Sequence, residues 1–163
     1  MENLVFMTIN GSTQGLITEG AFTPDSVGNI YQNGHEDEVA IKSFDYGTST
    51  PLNQAGQISG QRSHQPLSII KLLDKSSPLL FEASNKGETL TTVELKVYRT
   101  SYMGKQEHFY TITLEDAVIS SLTASSNGSE PLEYLNFSYR KITLRHETSS
   151  TSSSDDIRTG IAS

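Results

Sequence analysis

The sequence predicts an all-β fold, a barrel or sandwich lidded by one short helix, on three observations. Apolar residues alternate with polar ones over several segments, a single segment carries helix punctuation at both ends, and the apolar content is low. Hydrophobic residues make up 34% of the 163, Ser and Thr are abundant and Trp is absent, so a thin core helped by association is expected.

The elements follow in order. Leu4 to Ile9 reads as a first strand, and Gly11 to Gly34, rich in Gly, Thr, Ser and Asn, as a long loop. Val39 to Tyr46 is a second strand, followed by a loop from Gly47 to Gly60 that carries Pro51. Loops of this length in a compact domain are usually functional or pinned by a partner. Leu67 to Leu73 is the next strand. A helix is expected after it: Ser77 is placed to cap the first free amides, Pro78 brings a φ already fitted to the first turn, and Gly87 permits the left-handed exit. With Glu82 nearer the positive end of the helix dipole and Lys86 at the negative end, both charges are favourably placed. About nine residues are marginal as an isolated helix, so Leu79, Leu80 and Ala83 are expected to dock on a sheet.

Val93, Leu95 and Val97 then alternate with Glu94, Lys96 and Tyr98, and Tyr110, Ile112 and Leu114 repeat the pattern up to a turn at Glu115-Asp116. Ser125 to Pro131, with Asn127-Gly128, reads as a loop. Leu135, Phe137 and Tyr139 share one parity, whereas Ile142 and Leu144 share the other, which implies a bulge or a strand passing between sheets. Residues 1–147 form the expected barrel domain, and 148–163, opening with a Ser/Thr run, a flexible tail.

Charge and composition exclude several functions. A net charge of −7 argues against nucleic acid as a partner, because an acidic surface repels phosphate backbones. Zero cysteines remove disulfides and thiolate metal ligation. The apolar run near the N-terminus is too short for the central region of a signal peptide, and no stretch approaches membrane-spanning length. The chain is therefore expected to fold in the cytoplasm, to leave it, if exported, without a cleaved signal, and not to insert in membranes.

No active site is legible, so no catalytic residue, cofactor or metal ligand is expected. His35, His64, His108 and His146 lack metal-ligand spacing, and each is read as surface polarity or a structural hydrogen bond. Glu115 and Asp116, being adjacent, would point to opposite faces of a strand and cannot share a substrate. The run Glu36-Asp37-Glu38 lacks the alternating oxygen spacing of a calcium loop and is read as solvated.

Several segments in order carry a family resemblance: Glu38 to Gly47 with its spaced aromatics, Gly60-Gln61-Arg62-Ser63-His64-Gln65-Pro66, Asp74 to Ala83, Tyr110 to Asp116, and Leu135-Asn136-Phe137. Together they resemble the haemolysin-coregulated protein (Hcp) family, the tube component of type VI secretion systems, from about Leu4 to about Glu147. Two segments depart from that pattern, the long Gly11 to Gly34 loop and the Ser/Thr tail.

The resemblance implies a β-barrel of two packed antiparallel sheets with one flanking helix, similar to phage tail-tube proteins. It also implies homohexameric rings stacking into a secreted tube, with sheath and spike components and small effector proteins as partners. Alternation sends Phe44 and Tyr46 to the core and Ser43 and Asp45 to the other side, which in Hcp-like rings resembles the channel lining. Ser43 and Asp45 are thus candidates for the lumen. Thr48, Thr50, Asn53 and Gln54 are candidates for contact with an adjacent ring, and Arg62, His64, Pro66, Ser77 and Pro78 are read as structural motif residues. Two other classes remain, a carbohydrate-binding β-sandwich, weakened by the absence of Trp platforms, and a hydrolase, weakened by the absence of a convergent pair or triad.

Overall fold

The computed structural model describes residues 4–28, 34–128 and 130–157. Among the described residues, nine strands and two helices follow in chain order: β1 (Val5–Gly11), β2 (Gly15–Leu16), α1 (Pro24–Val27), β3 (Val39–Ser49), β4 (Ser63–Leu72), α2 (Ser77–Lys86), β5 (Leu90–Thr100), β6 (Gln106–Ser125), β7 (Leu132–Ser138), β8 (Lys141–His146) and β9 (Thr151–Asp156). All the pairings are antiparallel, and β1, β3, β4, β7, β6 and β5 close into a ring when β5 pairs back onto β1. Closure removes the free edges of those six strands.

The 20-residue β6 makes this two sheets rather than a plain cylinder. Its first half pairs with β5 and β8, and its second half with β7, so β7 and β8 lie in tandem along one edge. The break between them falls at Tyr139-Arg140, where the sequence changes parity, and opposite it Asp116 has φ 51°. Asp tolerates that region better than most side chains. Arg140 holds the corner: its backbone N–H donates to the Glu115 carbonyl at 3.2 Å, and its guanidinium donates to Asp116 at 2.9 Å and Asp156 at 2.7 Å. The turn expected at Glu115-Asp116 is therefore a bend inside one continuous strand. Ile112 and Leu114 face inward before the bend, and Ala117 and Ile119 after it.

Met7, Ile9, Leu67, Ile69, Val93, Leu95, Ile112, Leu114, Leu135 and Phe137 fill the interior. Phe6, on the outer face of β1, is buried too, because the segment expected as a loose loop folds over it. Phe22 meets Phe6 edge-on at 5.4 Å and His35 stacks on it at 3.8 Å, while Ile17 and Ala21 join the core. Residues 29–33 of that segment lie outside the described residues. The acidic run is not simply solvated: Glu38 is buried, 2.6 Å from His35 Nδ1 and 3.5 Å from Lys96 Nζ, whereas Asp37 accepts from the Gly20 amide.

Helix α2 begins one residue earlier than the punctuation predicts. Ser77 is its first residue and Pro78 its second, and no side chain caps the end. Ser77 Oγ instead accepts from the Asp74 amide at 3.0 Å and from Lys71 Nζ at 3.1 Å, and donates to Glu133 at 2.9 Å. Gly87 is left-handed, with φ 63°, as expected of a helix exit. Leu80 and Ala83 are buried against the barrel, but Leu79 is not. Pro66 sits where β4 carries an extra residue against β3, a bulge at which the missing N–H breaks no ladder bond.

The Ser/Thr run expected to be flexible forms β9 instead, paired residue for residue with β8 from Thr151 opposite His146 to Asp156 opposite Lys141. Backbone pairing does not require apolar side chains, so hydrophobic alternation gives no sign of this strand. Residues 158–163 of the tail lie outside the described residues. Since β3, β5 and β8 run the same way, the β3–β4, β5–β6 and β8–β9 connections leave one end of the barrel, and α2 and the β6–β7 connection cap the other.

Candidate functional site

Ser43 and Asp45 are exposed on β3, while Phe44 and Tyr46 pack against the core with their rings stacked at 6.5 Å. Asp45 lies opposite Ser68, Ser68 donates to Asn136 Oδ1 at 2.5 Å, and Asn136 donates to Ser121 at 2.7 Å. A polar row thus crosses β3, β4, β7 and β6 on the side away from the core. Water can wet that wall without exposing the apolar interior.

Around the corner lies a cleft of about 350 Å³ between the β3–β4 hairpin and the β8–β9 pair. Its walls are Tyr46, Tyr139, Ile142 and Leu144, with Thr48 and Ser153 at the rim. Thr48, expected in a loop, is part of β3 and pairs with His64. Burial, helped by the neighbouring Tyr110 hydroxyl, pushes the Tyr46 hydroxyl up to about 12. Arg62 and His64 converge here on Asp155 of β9: Arg62 takes both carboxylate oxygens in a fork, and His64 Nε2 lies 2.5 Å from Oδ2. His64 Nδ1 is 3.0 Å from the Tyr139 hydroxyl. The β4 end of this latch is visible in the sequence, but Asp155 is not, since 91 residues separate it from His64 and it follows a run of serines.

The Arg62 hydrogen bonds hold the Asp155 carboxyl below the usual carboxylate range, outweighing desolvation, with His64 adding to them. A carboxyl depressed in the folded state contributes stability above its unfolded value, about 3.9, and loses that contribution as pH falls through the folded value. Asp155→Asn should therefore be less stable than the parent near neutral pH, and the margin should shrink below about pH 4. Thermal unfolding of both proteins across that range checks the sign.

The connection after β3 is exposed but ordered around Asn53. Asn53 Oδ1 accepts from the Ala55 and Gln57 amides at 2.9 and 3.0 Å, so the polar group expected to reach outward is spent inside the loop. Thr50 and Gln54 are exposed. Leu52 and Ile58, bridged across the loop, are 60% and 73% exposed and form an apolar tip that sequence reasoning missed. Their signal is an apolar residue on each side of the Asn53 to Gly56 turn.

Residues 6–146 match the family model described as "Type VI secretion system effector, Hcp". The chain belongs to the Hcp family. It is 50% identical to the "Major exported protein" of Pseudomonas aeruginosa, with 99% of each chain covered. The "Crystal structure of Hcp protein" superposes with a TM-score of 0.93 at 42% identity, covering 96% of this chain and 99% of that one. "Secreted protein Hcp3 from Pseudomonas aeruginosa" gives 0.83 at 50% identity, covering 93% and 98%. As an Hcp, the chain is a tube protein of the type VI secretion system, and the closed barrel with its one flanking helix is the family's fold.

The other histidines of this Hcp make local bonds. His108 Nε2 lies 2.6 Å from the Thr111 hydroxyl, and His146 Nδ1 accepts from the Ser149 amide at 3.2 Å. Among the described residues, no three His, Asp or Glu side chains are grouped to hold a metal ion. Nor is any helix among the described residues long and apolar enough to cross a membrane.

Proposed function

We propose that this Hcp assembles as a homohexameric ring, that rings stack into a tube leaving the cell without a cleaved signal, and that the channel carries small effectors. Sheath and spike components of the secretion machine are its other partners in this reading. The observation that carries it is the polar row from Asp45 to Ser121, a wettable wall on one side of a barrel whose two ends expose apolar groups, Leu52 and Ile58 at one and Phe81 at the other. Such a protomer suits head-to-tail contacts that close into rings. Size-exclusion chromatography with light scattering tests it: a mass six times the 17.9 kDa protomer is expected, and one small species at every concentration overturns it.

Ser43 and Asp45 are assigned to the channel wall, and Thr50, Gln54, Leu52 and Ile58 to contact with the adjacent ring. Asp45→Arg should leave ring mass unchanged and alter retention of a co-purified small effector. A variant that no longer forms rings places Asp45 in the interface between protomers instead. Each chain carries −7, so stacked rings repel one another, and salt screens that repulsion. Mean tube length in electron micrographs should rise with ionic strength; unchanged or shorter tubes in high salt contradict the stacking electrostatics.

A further inference from the structure

We propose that β9 is a strap that opens from the barrel as a unit, with Arg62, His64 and Asp155 as its clasp and the β8–β9 turn as its hinge. The proposal concerns the single chain and does not depend on the ring reading above.

β9 lies outside the six strands that close on themselves, and among the described residues it pairs with β8 alone. Its release therefore gives up one ladder of backbone bonds and leaves the barrel closed. Thr151 to Asp156 include no apolar side chain, and Thr151 to Ser154 are exposed. Apolar burial, which ties Ile142 and Leu144 of β8 to the core, does not tie β9.

β9 is also undercut along its length. The cleft of about 350 Å³ is lined by Ser153 to Asp155, and a second hollow of about 250 Å³, walled by Tyr110, Leu144 and His146, is lined by Thr151 to Ser153. Leu144 and Ser153 border both. A strand beside open space lacks the dispersion contacts of a packed one.

The fastenings sit at the two ends. Arg62 and His64, from the start of β4, hold Asp155; Arg140 donates to Asp156 at 2.7 Å, and the Ile157 amide donates to the Arg140 carbonyl at 2.8 Å. At the other end Ser150 has φ 56°, a left-handed conformation that strains a residue with a β-carbon and is relieved when the turn lets go. A charged clasp at one end and a strained turn at the other suit a segment that moves as one piece. With β9 away, the two hollows become one open groove and the six residues of β8 an unpaired edge.

Native-state hydrogen exchange across a urea series tests it. The β9 amides bonded to β8, and the Ile157 amide, should exchange through an opening that barely responds to urea. Those of Leu67, Ile69 and Leu135 should exchange through full unfolding, which responds steeply. Asp155→Asn should speed the β9 amides about tenfold or more. Because the chain has no cysteine, Thr143→Cys/Ser154→Cys, at facing positions of β8 and β9, supplies a clamp: oxidised, it should slow those amides at least about tenfold against its own reduced form. If the β9 amides of the parent share the urea dependence of Leu67 and Leu135, there is no separate opening and the strap is wrong. If they open separately but at the parent rate in Asp155→Asn, the clasp is wrong.

Discussion

Lys71→Met is expected to lower the free energy of unfolding by about 3–5 kcal/mol, the usual loss when one partner of a buried ion pair is removed. Lys71 follows Leu67 and Ile69 in pointing inward, and its side chain is fully buried beneath α2. There Nζ lies 2.6 Å from Glu133 and 3.1 Å from Asp74, and it donates to Ser77 Oγ and the Leu72 carbonyl at 3.1 Å. Methionine fills the volume but leaves the Glu133 carboxylate, 2% exposed, without its cation. The cluster joins β4, β7 and α2, so the helix should loosen along with it. Removing both charges should cost far less, because well-packed apolar replacements of buried pairs are often neutral. Lys71→Met/Glu133→Met should therefore recover most of the loss, with Asp74 still held by the Ser76 amide at 2.9 Å. Urea unfolding of the parent, both single variants and the pair at equal protein concentration measures the coupling. A double variant as unstable as the sum of the singles would show that the ions do not act as a unit.

Gly11→Ala should have the next largest effect, about 2–4 kcal/mol, for a reason that has nothing to do with strand propensity. A β-carbon at position 11 would run into the Glu88 carboxylate. That carboxylate is nearly buried and accepts from the Thr13 amide at 3.0 Å, the Gln14 amide at 2.9 Å and Gln14 Nε2 at 3.0 Å, closing the turn between β1 and β2. Displacing it leaves two amides and a carboxylate with poorer partners. The hydrogen bonds from Gln14 and Thr13 hold Glu88 below the usual carboxylate range despite desolvation, which burial alone would turn upward. Glu88→Gln should reproduce part of the Gly11→Ala loss, and the two substitutions should be strongly non-additive, since each breaks the same contacts. Full additivity in thermal unfolding would sink the assignment.

Much of this fold was legible because its signals are local. The alternation around Val93, Ile112 and Leu135 marks strands whose inward faces are buried as expected, and Gly87 ends α2 where the left-handed step requires it. Where sequence reasoning misplaced an element, the missing information was a distant partner. Ser77 has the chemistry of a cap, but its hydroxyl is taken by Lys71 and Glu133, so α2 starts without one. Glu38 sits in an acidic run that reads as solvated, yet His35 and Lys96 draw it inward. The segment after Gly11 shows no periodicity because it contributes single residues, Ile17, Ala21 and Phe22, to surfaces built by others.

The candidate surfaces divide in the same manner. Phe44 and Tyr46 inward with Ser43 and Asp45 outward follows from a period of two, whereas the polar row that continues through Ser68, Asn136 and Ser121 depends on register between strands far apart in the chain. By itself, the sequence determined the all-β class, the short helix α2 and the family, because alternation, the glycine stop and the order of motifs are written along the chain. Only the tertiary structure decided that a serine-rich tail becomes β9, that Asp155 answers Arg62 and His64, and that Lys71 is buried against Glu133. The physical reason is that these contacts pay no regard to sequence distance: they exist once ring closure brings the strands together, and no local propensity anticipates them.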